Sequence, residues 1–206
     1  KVCELKPSKG QMRLYDAAGQ ALSQADVTLL AAGTGMHALT RLALRNVRGQ
    51  SIRIRSKHTL PEFLSGDINI TYLGGQDFLV GSTYELDGSD PQTRLLDTDR
   101  LISDLAQTLQ HRDFTLDSPH AGIRTVFSDR VIGAGLLPAH TLNTARMDHS
   151  IGQTSGPAPA CYALMGLGSH GATHAPLAAE AIVSAVCGAP SPLPRDLAHS
   201  TRLDRF

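Results

Sequence analysis

The run Gly166-Leu167-Gly168-Ser169-His170-Gly171 sets the tightest limit on how this chain folds. It matches G-x-G-x-x-G and stands between an apolar, strand-like run (Cys161 to Met165) and a helix-forming one (Leu177 to Val186). In that setting closely spaced glycines let backbone approach a dinucleotide. A complete dinucleotide unit also needs a second parallel strand after the helix, with an acidic residue about 20 positions on. Only 18 residues follow Gly188, and they carry Pro190, Pro192 and Pro194, so the βαβ unit is not completed on that side. What survives is local physics: bare backbone at the turn, and a helix start whose N–H groups favour an anion or a carbonyl oxygen. A ligand-free strand-to-helix turn has the same spacing.

The rest of the chain reads as mixed α/β. Arg13 to Asp16, the turn Ala17-Ala18-Gly19-Gln20 and Ala25 to Gly33 predict a hairpin feeding a strand that is nearly continuously apolar, as in a parallel sheet with both faces covered. Between Val47 and Lys57, Ile52 and Ile54 face one way while Ser51, Arg53 and Arg55 face the other, the period of a half-exposed strand. Further strands are expected over Phe78 to Tyr84, Ile123 to Ile132 and Cys161 to Met165. Helical spacing of Leu101, Ile102, Leu105, Ala106 and Leu109 predicts a helix over Asp99 to Gln110, capped by Asp97 or Thr98. Ile151 to Ala160 reads as an exposed Gly/Pro/Ser-rich loop. The last helix, Leu177 to Val186, has Pro176 in its first turn and Gly188 as its stop, and the tail from Pro190 onward reads as extended. No internal repeat occurs.

Charge and cysteine usage narrow the function classes. Lys plus Arg equals Asp plus Glu at 19 each, which excludes a bulk attraction to nucleic acid or anionic membrane but leaves room for a local patch. From Val27 to Pro61 six basic residues, Arg41, Arg45, Arg48, Arg53, Arg55 and Lys57, stand without one acid, whereas Glu85 to Asp104 holds six acids against Arg94 and Arg100. A basic stripe of Arg48, Arg53, Arg55 and Lys57 would position RNA phosphates; a solvated strand face is the alternative. Cys3, Cys161 and Cys187 lie far apart without C-x-x-C, and no run suits a membrane span or signal peptide, so a soluble, reduced, cytoplasmic chain is expected. His170 and His174 are four apart, but no nearby carboxylate or Cys completes a metal site. G-x-S-x-G and G-x-x-x-x-G-K-[ST] are both missing, which removes the serine hydrolase and P-loop readings.

Leu164 to Gly171, Ala175-Pro176-Leu177-Ala178-Ala179-Glu180, Gly188-Ala189-Pro190 and Arg205-Phe206 together resemble the C-terminus of the FAD-dependent oxidoreductases of the D-amino-acid oxidase and glycine oxidase type. Within them the resemblance is greatest to the oxidase half of bifunctional enzymes that modify the wobble uridine of tRNA. Val27 to Gly33 resembles the strand whose end contacts the dinucleotide, and Val47-Arg48-Gly49-Gln50 the crossing into the substrate domain. Gly122-Ile123-Arg124 with Asp129-Arg130 resembles the substrate-binding strand.

The resemblance implies FAD as cofactor, contacted by Gly33, Gly166, Gly168, Ser169, His170, Gly171 and Ala172. It implies a mixed α+β fold with a remnant of an FAD-binding layer (1–46 with 161–206) and a mostly antiparallel substrate-binding sheet with flanking helices (47–160). The ADP-binding N-terminal half of that family is absent from these 206 residues, so the chain is expected to be a C-terminal segment of a longer protein. A covalently linked methyltransferase and tRNA are its implied partners. Position 170, usually Arg in that family's glycine turn, is here His170, which carries no fixed charge.

The implied chemistry is oxidation of a carbon next to nitrogen, followed by hydrolysis, on the carboxymethylaminomethyl group of wobble uridine. The cofactor supplies the redox step, so no dedicated acid or base is demanded. By the resemblance Arg124 clamps the substrate carboxylate, with a guanidinium suited to bidentate contact. Tyr84, Gln50 and His170 are further pocket candidates. The alternatives are a small-molecule amine oxidase of the glycine oxidase type and a non-catalytic substrate-binding segment.

Overall fold

A computed structural model describes residues 1–8, 10–58, 60–143 and 159–205. Three antiparallel strands open the chain: β1 (Glu4–Ser8), β2 (Gln11–Tyr15) and β3 (Ala21–Ala25). The turn between β2 and β3 closes because the Asp16 carboxylate accepts from the N–H groups of Ala18 and Gln20, each at 2.9 Å, while Gly19 takes a positive φ of 78°. Strand β4 (Val27–Leu30) and a four-residue helix, α1 (Met36–Leu39), follow.

The next stretch forms a six-stranded sheet. It contains β5 (Arg45–Ser56), β6 (Phe63–Leu64), β7 (Asn69–Gly74), β8 (Asp77–Gly81), β9 (Glu85–Leu86), then helix α2 (Leu95–Leu109) and β10 (Phe114–Val126). The order is β10-β5-β8-β7-β6, with β9 also on β5, and every recorded register in it is antiparallel. The period-two pattern of β5 decides which face is core. Ile52 and Ile54 are fully buried beside Ile70, Phe78, Val80 and the α2 residues Leu101 and Leu105. Each such side chain contributes about 1.5–3 kcal/mol by leaving water.

Strands β11 (Gly133–Leu136) and β12 (Ala160–Met165), helix α3 (Gly171–Cys187) and helix α4 (Arg195–Ser200) complete the fold. β12 lies between β11, antiparallel, and β4, parallel with Val27 opposite Ala160 and Leu30 opposite Ala163. One face of this sheet (Leu30, Cys161, Ala163, Met165) packs on Leu5, Met12, Met36 and Phe127. Ala178 and Ile182 of α3 pack with Ala134, Tyr162 and Leu164.

The chain divides into two units, Lys1–Arg45 with Thr125–Phe206, and the continuous Asn46–Arg124. The segment from Thr125 to Asn143, expected in the substrate-binding part, belongs instead to the first unit, because β11 pairs with β12. Among the described residues no helix is long and apolar enough to cross a membrane.

Several expectations need correction. β4 is parallel as predicted, but Val27 and Leu29 are 43% and 50% exposed, so one face at this edge is open. α2 starts at Leu95, four residues early and without a side-chain cap, since Asp97 and Thr98 are drawn to Arg48 and Gln50 instead. The strand predicted over Phe78 to Tyr84 stops at Gly81. β10 begins at Phe114 and ends at Val126, and a turn around Asp129 separates it from β11. α3 starts at Gly171, so Pro176 sits inside the helix rather than in its first turn. Gly188 does supply the left-handed stop, at φ 68° with the Ala189 N–H donating to the Ser184 carbonyl.

The tail is not extended. Pro194 leads into α4, Leu203 is buried, and the Arg205 guanidinium donates to the Asp129 carboxylate (3.0 Å) and the Val131 carbonyl (2.8 Å). Burial pushes the Asp129 carboxyl up, but the Arg205 hydrogen bond and the Val131 N–H outweigh it and hold the group below its ordinary value. The loop predicted over Ile151 to Ala160 lies, up to residue 158, outside the described residues.

Burial also sets the reactivity of the cysteines. It pushes the Cys161 thiol up to about 11, whereas Cys187 is exposed. A thiol reagent near pH 8 is expected to label Cys187 rapidly and Cys161 only after denaturation, because the thiolate is the reacting form. Peptide mapping of the labelled native protein reads this directly, and fast native labelling of Cys161 would contradict its burial.

Candidate functional site

In the first unit the two glycine segments meet at one end of the sheet. β4 and β12 are parallel neighbours, so Gly33, just past β4, and the turn Gly166 to Gly171, just past β12, both follow carboxyl ends of adjacent strands. In α/β sheets ligands bind at that end. Gly166 (φ 69°) and Gly168 (φ 53°) occupy left-handed backbone, which a Cβ disfavours. A Cβ on Gly166 would also stand 2.6 Å from the Phe127 ring, and one on Gly168 2.8 Å from Val126 Cγ1. Around Gly33 (φ 54°) nothing lies within 4 Å of the Cβ position.

A short 3-10 turn (Gly168–His170) leads into α3, and no side chain caps that helix. Its first N–H groups therefore point toward solvent or a ligand. Ser169, His170 and Ala172 are exposed at this start, where the His170 carbonyl accepts from the Thr173 hydroxyl at 2.9 Å. Bare glycine backbone, a helix start and parallel strand ends fit the phosphate or carbonyl oxygens of a flavin dinucleotide. His170 and His174 stack at 5.4 Å, and among the described residues no group of three His, Cys, Asp or Glu gathers for a metal.

In the second unit Arg124, near the end of β10, lies across the backbone of β5. A Cβ on Gly49 would collide with the Arg124 guanidinium, whose Cζ would be 3.1 Å away. Gly49 is thus the seat that lets the guanidinium lie flat on the strand. From there its Nη2 donates to the Ser82 hydroxyl at 3.0 Å. Ser82 and the half-exposed Tyr84 share the segment after β8, which is tied to β5 by the Thr83 N–H donating to the Gln50 carbonyl and by the Gln50 N–H donating to the Thr83 hydroxyl. Ser82 is not among the sequence candidates, and Gly49 enters the sequence reading only within the crossing Val47-Arg48-Gly49-Gln50, although a glycine inside a strand marks a position where another group comes close.

Two candidates are overturned. Arg48 is fully buried and reaches no phosphate: its guanidinium donates to the Asp97 carboxylate (2.6 Å), the Asp90 and Gln92 carbonyls (2.9 and 2.7 Å) and the Gln50 side-chain oxygen (2.9 Å). Gln50 is equally buried, its amide donating to the Arg94 carbonyl and the Thr98 hydroxyl. It organises the start of α2 rather than lining a pocket. Of the remaining stripe, Arg53 and Arg55 share Asp77 at 2.7 and 3.2 Å, and Lys57 is exposed. The Arg53 hydrogen bond, aided by Arg55, holds the Asp77 carboxyl below its ordinary value.

Residues 1–185 match the family model of the FAD dependent oxidoreductases, DAO. The chain is 35% identical over 199 residues to the tRNA 5-methylaminomethyl-2-thiouridine biosynthesis bifunctional protein MnmC of Caulobacter vibrioides, covering 94% of this chain and 30% of the relative. To the MnmC of Caulobacter sp. (strain K31) it is 30% identical, covering all of this chain and 32% of the relative. The fold matches glycine oxidase from Geobacillus kaustophilus with a TM-score of 0.79 at 16% identity, over all of this chain and 52% of that one. Iminodiacetate oxidase from Chelativorans sp. BNC1 follows at 0.67 and 18%, over 97% of this chain and 52% of that one. The chain thus spans about a third of the curated relatives it matches. With nine-tenths of its length matched by one family model and the glycine turn standing at the carboxyl ends of parallel strands, the chain belongs to the DAO family of FAD dependent oxidoreductases.

Proposed function

We propose that this chain is the substrate-binding and flavin-contacting part of an enzyme that oxidatively removes the carboxymethyl group from carboxymethylaminomethyl-uridine at the tRNA wobble position. The observation that carries the reading is the Arg124 guanidinium laid over Gly49 and anchored on Ser82. A planar fork held against a strand suits a carboxylate, and the group to be removed ends in one. The curated relatives, named for tRNA modification and about three times as long, support tRNA as substrate and a covalently linked methyltransferase as partner.

Bound FAD would supply the two-electron acceptor for the carbon–nitrogen bond. The residues of this chain do the positioning. Arg124 orients the carboxylate, and Tyr84 borders the same segment. Gly33, Gly166, Gly168, Ser169, His170, Gly171 and Ala172 would hold the cofactor. The uncapped start of α3 offers N–H donors to carbonyl oxygens on which reduction accumulates negative charge. His170 adds no fixed charge there.

The test uses the full FAD-loaded protein and tRNA carrying the carboxymethylaminomethyl group. Arg124→Ala is expected to raise KM about 10- to 150-fold, the loss of a hydrogen bond to a charged group. kcat should change less, because the carboxylate does not react and is bound alike in ground and transition states. Arg124→Lys should recover part of the loss. An unchanged KM would remove the carboxylate assignment. Efficient turnover of glycine with no action on the tRNA would make the protein a small-amine oxidase.

A further inference from the structure

The charge along β5 is not evenly compensated. Arg53 and Arg55 meet Asp77, with Asp117 3.8 Å from Arg53, so the middle of the strand is largely neutralised. Two residues further on the pattern changes. Beyond the end of β5 and at the start of β10, a cavity of about 540 Å³ is lined by Arg55, Lys57, His58, Arg112, Asp113 and Phe114, among others. Lys57 and Arg112 are exposed and make no ion pair among the described residues. The carboxylate in the cleft, Asp113, stands 3.3 Å from His58 Nε2 and forms an ion pair with neither of them. Asp77 is already shared by two arginines.

We infer that this cleft receives the phosphate backbone of RNA, with Lys57 and Arg112 as its direct contacts. The inference rests on the tRNA reading above and places a contact surface that the reading itself does not specify. A guanidinium and an ammonium left without counterions at the mouth of one cavity release condensed cations from a polynucleotide when they engage it. They contribute affinity and register without reading sequence. His58, its ring tilted against that of His111 with centroids 5.5 Å apart, completes the rim, and Arg55 faces the same space from the strand.

The test is fluorescence anisotropy of labelled unmodified tRNA with the full protein, over KCl from about 0.05 to 0.3 M. Lys57→Ala/Arg112→Ala should weaken binding at every salt concentration and reduce the slope of log K against log salt by about 1.5 to 2, one contact for each cation removed. Arg13→Ala/Arg195→Ala removes the same charge from exposed positions elsewhere and should leave the slope unchanged. An unaltered slope in the first variant, or an equal fall in the second, overturns the cleft as a contact. If inorganic phosphate binds wild type but not the first variant while the two bind tRNA with the same slope, the site takes free phosphate rather than RNA, and the proposal also falls. A wild-type slope in the first variant alongside normal oxidation of modified tRNA would defeat the cleft alone. A wild type that binds no tRNA and oxidises only small amines would defeat the function proposed above as well.

Discussion

Arg48→Ala is expected to cost about 3–5 kcal/mol of stability, because it removes a fully buried charge from its half-buried Asp97 partner and strands the buried groups around it. Arg48 has no solvent exposure, and five acceptors converge on it: the Asp97 carboxylate, the Asp90 and Gln92 carbonyls, the Gln50 side-chain oxygen and, at 3.8 Å, Glu85. Asp90 and Gln92 belong to the link between β9 and α2, Asp97 to α2 itself, Glu85 to β9 and Gln50 to β5, so the one side chain fixes where the helix begins on the sheet. Domains are stable by about 5–15 kcal/mol in total, and the loss is therefore a large share. Arg48→Met should recover packing but not the hydrogen bonds and remain clearly destabilised. Urea unfolding of the purified protein, followed by circular dichroism, reads the shift in midpoint. A loss below about 1 kcal/mol, the scale of an exposed ion pair, would show that water replaces the arginine at little cost.

Gly166→Ala should have an effect nearly as large, by a different route. Its left-handed φ costs an L-residue about 1–2 kcal/mol, and the new methyl would stand 2.6 and 2.9 Å from two atoms of the Phe127 ring. Forcing an extra carbon into a packed site adds about 1–3 kcal/mol. The ring cannot easily retreat, since it is buried in the core and the Arg205 guanidinium lies 4.9 Å over it. A summed loss of about 2–5 kcal/mol is expected in thermal or urea unfolding. Gly33→Ala makes the comparison: it has the same sign of φ but open space at the Cβ position, so only the backbone part should remain. Equal losses at the two positions would mean that Phe127 yields.

The contrast between these sites shows what the sequence discloses. The glycine turn was legible because its spacing, the apolar run before it and the helix after it are neighbours in the chain. The core face of β5 was legible for the same reason, through the alternation of Ile52 and Ile54. Arg48 and Gln50 read in sequence as exposed candidates because the partners that bury them, Asp90, Gln92, Arg94, Asp97 and Thr98, stand more than 40 positions away, and a buried arginine looks in sequence like an exposed one. The basic stripe failed in its middle because Asp77 comes from β8, a strand that pairs with β5 only in the fold. The three prolines of the tail hid α4 by suggesting extended chain, although a proline just before a helix is compatible with its start. Arg124 is legible as a strand residue, but although a glycine within a strand marks a close approach, nothing local says that the group seated on Gly49 is Arg124, the neighbour across the sheet.

The parallel pairing of β4 with β12 also imposes an order in time. Val27 and Ala160 are opposite one another but roughly 130 residues apart. A ribosome adding about 5–20 residues per second takes some 7 to 26 s to cover that interval. During the wait Leu30 lacks the strand against which it is later buried. The continuous unit from Asn46 to Arg124, by contrast, emerges whole and can complete its sheet while β4 is still unpaired. During synthesis, chaperone need and proteolytic risk should therefore concentrate on Lys1–Arg45, whose unit is completed late, rather than on the continuous unit that follows it.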